Sequence, residues 1–188
     1  CSGLVGSEMC IRDSHHDTLY AEQRLIEVVS GLDREPEIEA LCRSMLERRV
    51  RLLGPEHSQT LVSRHQLGWV CWRVGKADEA VEILRGTLDG RLEVLGPHDP
   101  ETVWTANTLA GICRDLGRLE EALDLYTIAL DGQLAIAGPV NVYTVGYRRA
   151  LIRIFDALGD ADAATTQRHE INEALRAIVS RPDPSPWQ

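Results

Sequence analysis

The sequence predicts an all-α fold in which about four helix-turn-helix repeats stack into an α-solenoid. Three observations predict this fold. Short motifs recur every 42 residues, apolar residues within each repeat recur at helical spacing, and a glycine recurs in the middle and near the end of the repeats. A unit of this kind buries its apolar face only by stacking on its neighbours, which is typical of solenoid proteins.

The repeat is easiest to see around a threonine. The segments HSQTL, DPETV and NVYTV begin at positions 57, 99 and 141, and HHDTL begins at position 15. The threonine therefore occupies the same place in four successive repeats. These residues are Thr18, Thr60, Thr102 and Thr144.

Each repeat is predicted to be a pair of helices. In the second repeat, apolar residues recur at helical spacing over residues 58–74, and Gly75 is placed to end that helix. The acidic pair Asp78 and Glu79 then opens the second helix, where the helix dipole favours negative charge. A Gly-Pro pair starting at Gly96 ends it. No segment shows the alternation of apolar and polar residues that is typical of strands.

The ends of the chain differ from the repeats. Read as codons, Leu4 to Ser14 resembles a translated sequencing adapter, so we expect an irregular segment there and a natural sequence that continues upstream of His15. A genuine but unusual N-terminus is the alternative. The expected segments are an adapter at 1–14, a repeat array at 15–179 (repeats 15–56, 57–98, 99–140 and 141–179) and a proline-rich tail at 180–188.

Composition narrows the classes of function. The 188 residues carry a formal net charge of −9, which argues against a nucleic-acid or anionic membrane partner. No apolar run approaches the ~20 residues that cross a bilayer, so we expect a soluble, cytoplasmic chain. Of the 20 basic residues only Lys76 is lysine, a bias typical of a GC-rich genome such as that of an actinobacterium. Cys42, Cys71 and Cys113 lack CxxC spacing and are expected to be small core residues.

No pattern in the sequence indicates catalysis, a metal or a cofactor. The His-His-Asp segment at 15–17 occupies the helix-start place that His57 and Asp99 fill in later repeats, which favours a capping role. His169 lacks the second histidine of a zinc-binding helix. A phosphate loop and a nucleophile elbow are also absent from the sequence. We therefore expect a non-enzymatic protein without a cofactor.

The repeat resembles a tetratricopeptide repeat. The segments LGWVCWRVGKADEA and LAGICRDLGRLEEALDLY match its pattern of a leucine, a small residue, an apolar residue, a glycine and an alanine. The extended second helices and the LGPxHxxT junction are similar to the kinesin-light-chain subtype, which also occurs in actinobacterial proteins. The resemblance covers about residues 15–179. It implies a right-handed superhelix whose first helices line a concave groove that binds peptides or other proteins.

The resemblance places aromatic and charged residues in this groove. Spacing supports the same set, because His65, Trp69 and Trp72 lie at i, i+4 and i+7, on one face of a helix and away from its predicted core face. Exposed aromatic residues beside arginines mark binding hot spots. The alternative is that the tryptophans fill the inner curve of the superhelix and contact only each other. The candidate partner-binding residues are His65, Trp69, Trp72, Arg73, Trp104, Asn107, Arg114, Arg149, Arg153 and Asp156.

These residues predict a protein or peptide partner that is acidic or anchored by an aromatic side chain, with no nucleic acid and no membrane. The alternative is that the arginines are solvated and pair with Asp115 and Asp156. The leading interpretation is therefore a protein-interaction module. Two other interpretations stay open: the C-terminal sensor array of a larger NTPase of the NB-ARC or STAND type, truncated at its N-terminus, and a purely structural spacer.

Small residues are predicted where the two helices of a repeat cross closely, and Ala80 and Ala122 occupy such places. A leucine there would overpack the crossing, so we expect Ala80→Leu and Ala122→Leu each to lower the free energy of unfolding by ~1–3 kcal/mol. Urea denaturation measures this change. An unchanged midpoint in either variant would show that the helices do not cross at these residues.

Overall fold

In a computed structural model, which describes residues 35–179, the chain consists of α-helices joined by short turns. Strands do not occur in this part of the chain. None of the helices between residues 35 and 179 is both long enough and apolar enough to cross a membrane. The helices are α1 (Glu35–Leu53), α2 (Ser58–Arg73), α3 (Ala77–Val94), α4 (Pro100–Asp115), α5 (Leu119–Ala137), α6 (Val142–Leu158) and α7 (Ala161–Val179).

The predicted all-α, helical-repeat fold class is confirmed. Helices α2, α4 and α6 are the first helices of the second, third and fourth repeats, and α3, α5 and α7 are their second helices. Helix α1 is the second helix of the first repeat. The adapter segment, the segment 15–17, Thr18 and the proline-rich tail lie outside the described residues.

The chain forms two compact units, which divide inside α3 after Ile83. In the first unit, α1 packs on α2, and Ala80 of α3 completes the core. In the second unit, α4 packs on α5, α5 on α6 and α6 on α7. The core of the first unit contains Ile38, Cys42, Met45, Leu67, Val70, Cys71 and Ala80. The fully buried side chains of the second include Leu84, Ala106, Leu109, Ala110, Cys113, Ala122 and Ala129.

The three described cysteines are core residues, as predicted. Cys42, Cys71 and Cys113 are buried and none forms a disulfide. Burial raises the pKa of the Cys42 thiol to about 11 and that of Cys113 to about 12. Both thiols are therefore protonated at neutral pH and behave as small apolar groups.

A polar residue caps the start of each first helix in the described part of the chain. The side chains of His57, Asp99 and Asn141 accept hydrogen bonds from the backbone amides two residues later, at 3.2, 2.8 and 2.8 Å respectively. These bonds satisfy amides that have no partner within the helix. The capping role expected for this place is observed in three repeats.

Glycines and threonines shape the turns that follow α1 to α6. A glycine with φ between 73° and 94° occurs every 21 residues, from Gly54 to Gly159. Residues other than glycine rarely adopt this backbone conformation. The hydroxyls of Thr60 and Thr144 donate to the carbonyls of Gly54 and Gly138, each at 2.8 Å. In these two repeats the threonine that reveals the repeat in the sequence therefore closes the turn between repeats, whereas the buried hydroxyl of Thr102 forms no such bond.

Buried arginines join the second helix of one repeat to the first helix of the next. Arg49 and Arg91 lie 42 residues apart, and each is only 1% exposed. Arg49 donates to the backbone oxygen of Gln59 at 2.9 Å, and Arg91 donates to that of Glu101 at 2.7 Å. Arg91 also bonds to the Thr105 hydroxyl and pairs with the Glu101 carboxylate at 2.6 Å. The first two junctions thus each contain a guanidinium group that links two helices.

An exposed ion pair recurs with the same period. Arg43 pairs with Glu79 at 2.7 Å, and Arg85, 42 residues later, pairs with Glu121. Each pair links the second helices of consecutive repeats. Surface pairs of this kind contribute at most ~1 kcal/mol, so packing and the buried arginines hold the junctions more strongly.

Gly132 of α5 is required by a close approach of the chain. A Cβ atom there would collide with the Val103 side chain and lie 2.8 Å from the backbone oxygen of Pro97. We expect Gly132→Ala to lower the free energy of unfolding by ~1–3 kcal/mol. Gly86 of α3 is the matched control: its Cβ would meet no atom within 4 Å, so Gly86→Ala should stabilise by ~0.5–1 kcal/mol. Thermal unfolding followed by circular dichroism distinguishes the opposite signs.

Candidate functional site

The candidate groove residues lie on α2, α4 and α6, and each compact unit holds its own part of the set. The first unit contains Trp69 and Trp72 with their neighbours on α2, and the second contains Trp104 and the remaining residues on α4 and α6. The resulting surfaces are described separately.

In the first unit, fewer of the predicted residues on α2 are exposed than their helical spacing indicates. Trp69 is 46% exposed and Arg73 is also exposed, as predicted. His65 is buried, which corrects the prediction that it lies on the surface. It follows buried Leu61 by four residues, so the edge of the core covers it. Trp72 is half-buried, and its side chain packs against the core of the first unit.

In the second unit, residues of α4, α5 and α6 line an open pocket of about 390 Å³, which we call the arginine pocket. It brings together four of the predicted residues, and three of them are arginines. No carboxylate lines it. The sequence missed its three tyrosines, although the i, i+4 spacing of Tyr143 and Tyr147 is visible in it. The lining residues are Asn107, Arg114, Tyr126, Val142, Tyr143, Gly146, Tyr147, Arg149, Ala150 and Arg153.

Arg114 is held in place on one wall of the arginine pocket. Its Nε and Nη2 atoms donate to the Asp115 carboxylate at 3.0 and 2.7 Å, and its Nη1 lies 3.3 Å from the Tyr126 hydroxyl. The carboxylate raises the pKa of Arg114. Burial raises the pKa of Tyr126, so its hydroxyl is neutral at physiological pH. Arg114 is therefore an oriented cation whose charge is partly neutralised.

Arg149 and Arg153 line the arginine pocket from α6, on which they lie one helical turn apart. Both are exposed. Asp156, the predicted site residue nearest to them in sequence, accepts hydrogen bonds from Arg168 of α7 at 2.9 and 2.7 Å. Within residues 35–179, neither Arg149 nor Arg153 forms an ion pair. Asp156 is thus outside the pocket, and these two arginines are not neutralised as the alternative interpretation required.

A second cavity of about 340 Å³, which we call the apolar pocket, adjoins the first. Trp104 lines it and is 51% exposed, and Ile136 and Tyr143 are exposed beside it. The sequence did not reveal this cavity because its walls come from the start of α4, the end of α5 and the start of α6. The lining residues are Pro100, Val103, Trp104, Gln133, Ile136, Ala137, Asn141, Tyr143 and Tyr147.

One cluster in the first unit has the residue types of a metal site. Potential ligand atoms of Glu39, Cys71 and Glu79 lie within 4.8 Å of one another. However, Lys76 donates to Glu39 at 2.6 Å and Arg43 donates to Glu79 at 2.7 Å. Hydrogen bonds from Lys76 and Arg43 to Glu39 lower the pKa of Glu39, and burial raises the pKa of the Cys71 thiol. The carboxylates are already paired and the thiol is protonated, so the cluster fits an ion-pair network better than a metal centre.

Comparison with known proteins identifies the repeat. The sequence profile of the tetratricopeptide repeat matches residues 17–91 and 72–135, which together make up more than half of the chain. No curated protein sequence matches the chain significantly.

Solved structures share the fold at low sequence identity. BtubC (BKLC) from P. vanneervenii is 21% identical, with 96% of this chain and 72% of that chain covered and a TM-score of 0.74. The TPR-like repeats of a Podosopora anserina kinesin light chain protein are 19% identical, with 87% and 88% covered and a TM-score of 0.70. A MamA RS-1 double mutant is 14% identical, with 94% of both chains covered and a TM-score of 0.60. At these identities the likeness concerns the fold alone.

Neighbouring arginines on α6 have opposite environments. Arg148 is buried, donates to Gln167 at 2.8 Å and pairs with Glu170, both on α7. We expect Arg148→Ala to lower the free energy of unfolding by ~1–3 kcal/mol, because it leaves a cavity and unpaired groups. Arg149→Ala and Arg153→Ala should change it by less than ~0.5 kcal/mol.

Urea unfolding of the three variants tests this contrast. Equal destabilisation by all three would show that the walls of the arginine pocket are structural.

Proposed function

The chain belongs to the tetratricopeptide repeat family, and on that premise we propose that it is a protein-interaction module that binds an acidic segment of a partner protein. Members of this family are generally non-enzymatic scaffolds for protein partners. The partner segment is proposed to lie against the exposed faces of α4 and α6 in the second unit, with its carboxylates in the arginine pocket.

The arginine pocket is the observation that carries this proposal. Arg114, Arg149 and Arg153 line a cavity that no carboxylate lines. Arginine forms bidentate, charge-assisted hydrogen bonds with carboxylates, and clusters of arginines are a recurring means of binding acidic motifs. The tyrosine hydroxyls and the Asn107 amide supply further hydrogen bonds that fix orientation. An acidic peptide segment complements this combination of groups.

The net charge of the chain makes the pocket selective. Because the whole protein carries a charge of −9, an acidic partner is repelled at long range and attracted only near the pocket. Such short-range attraction favours a segment whose shape also fits. Binding should weaken as salt is added, since the arginines at the rim are solvent-accessible.

Exposed tryptophans support the proposal in each compact unit. Trp69 and Trp104 are 46% and 51% exposed, which leaves large apolar areas in contact with water. Tryptophan and arginine are the residues most enriched in binding hot spots. Trp72, which packs against the core, is not included in the proposed binding surface.

The test is selection of phage-displayed random peptides on the wild-type protein, followed by fluorescence anisotropy of the individual peptides. Enriched peptides should be acidic. An Arg149→Ala, Arg153→Ala double variant should bind them at least about tenfold more weakly, because it loses charge-assisted hydrogen bonds. Trp69→Ala combined with Trp104→Ala should abolish binding while circular dichroism shows unchanged helicity.

Arg176→Ala is the matched control, because it removes an equally exposed charge from α7 that lines neither pocket. Failure to enrich acidic peptides would contradict the proposed function. If Arg176→Ala weakens peptide binding as much as the double variant does, the loss of affinity comes from the change in net charge and not from the arginine pocket.

A further inference from the structure

Helix α7 exposes a residue at a place that is buried in the three preceding repeats. Arg49, Arg91 and Gln133 stand 42 residues apart near the ends of α1, α3 and α5, and they are 1%, 1% and 8% exposed. The corresponding residue of α7 is Leu175, which is 46% exposed. In the part of the chain that the structure describes, no first helix follows α7 to cover this leucine.

Leu175 is part of a larger apolar face. Ile171 lies one helical turn before it and is only partly buried. The counterpart of Ile171 in the first repeat is Met45, which is 1% exposed and belongs to the core that α1 forms with α2. Ile171 and Leu175, which we call the terminal face, therefore occupy places that the next first helix covers in an earlier repeat. Covering this face removes apolar surface from water, which is favourable.

The residues that follow α7 continue the 42-residue register. Asp183 and Pro184 stand at the places of Asp99 and Pro100. Those two residues are the N-cap and the first residue of α4, and the Asp99 side chain accepts a hydrogen bond there at 2.8 Å. Proline suits the first position of a helix, because the amide that it lacks would have no partner within the helix. The pair at 183–184 therefore marks the start of another first helix.

Trp187 stands at a place that belongs to the core in earlier repeats. Its counterparts in the second and third repeats are Leu61 and Val103, which are 0% and 2% exposed. Tryptophan offers a large apolar area, and burying such an area is strongly favourable. The register thus places a large apolar side chain where the next first helix contributes to the core.

The connection after α7 has the length that brings this segment against the terminal face. At an earlier junction, Arg91 donates to the backbone oxygen of Glu101, ten residues later. The same separation counted from Leu175 leads to Ser185, two residues before Trp187. A turn of the kind observed between α3 and α4 is therefore long enough to place the tryptophan beside the exposed leucine.

From this register we propose that residues 180–188 begin a fifth repeat, in which Asp183 caps a first helix and Trp187 covers the terminal face. This contact lies within one chain and does not depend on the proposed function. One residue departs from the register: Ser180 stands at the place of Gly138, which has a φ of 73°. Because serine adopts this conformation less readily than glycine, the turn is less favourable than at the earlier junctions.

The experiment measures the exposure of Trp187 by fluorine NMR of the full chain labelled with 5-fluorotryptophan. The chain contains four tryptophans, and Trp187→Phe identifies the resonance of interest. Broadening by a dissolved gadolinium chelate reports exposure to solvent. For Trp187 it should be about tenfold weaker in the full chain than in a labelled peptide of residues 180–188, as expected for burial of one leucine-sized contact.

Leu175→Ala tests which surface Trp187 covers. Removing the leucine should bring the broadening of Trp187 close to that of the peptide. Leu158→Ala is the matched control, because Leu158 is a leucine of similar exposure, 40%, at the end of α6. It precedes the start of α7, and Leu175 lies ~21 Å farther along that helix. The control should leave the Trp187 resonance unchanged.

Ser180→Gly tests the register itself. A glycine there should favour the turn and weaken the broadening of Trp187 further, whereas stronger broadening would show that residue 180 does not adopt a positive φ and would overturn the fifth repeat.

Three other results would overturn the proposal. The first is broadening of Trp187 as strong in the full chain as in the peptide. The second is protection of Trp187 that Leu175→Ala does not reduce, or that Leu158→Ala reduces equally. The third is a dimer in sedimentation velocity that Leu175→Ala dissociates without changing the broadening of Trp187, which would assign the terminal face to a second copy of the chain.

Discussion

The buried guanidinium group at each of the first two repeat junctions is the interaction on which the rest of the structure depends. Arg49 and Arg91 carry positive charge into the core, and burial lowers the pKa of Arg91. The charge is tolerated because backbone carbonyls, a hydroxyl and a carboxylate of the next helix surround it. Since these partners belong to the start of the next repeat, the arginine also fixes how one helix lies on another.

The same constraint explains where the candidate site lies. Gln133 takes the place of the arginine at the third junction, and it lines the apolar pocket. Replacing its partners by Tyr143 and Tyr147 gives this cavity aromatic walls and joins it to the arginine pocket. Arg149 and Arg153 of α6 remain exposed, and the proposed function assigns them the carboxylates of the partner.

Part of this site could be predicted from spacing, and part could not. Helical spacing correctly placed Trp69 and Trp104 on exposed faces, because one helix is enough to define a face. It failed for His65, because spacing does not say how far neighbouring helices cover the edge of that face. It also could not show that Asp156 pairs with Arg168, since the two residues lie on different helices. Nor could it reveal the apolar pocket, whose walls come from three helices.

The sequence by itself determined the elements and their limits. The 42-residue period, the apolar spacing, the capping residues and the glycines specify local backbone geometry, and local geometry depends on residues only a few positions apart. Tertiary structure alone decided which charged and polar groups are buried, which are paired and which face a cavity. These properties depend on contacts between helices: Arg148 is buried against Gln167 and Glu170 of α7, whereas the next residue, Arg149, is exposed.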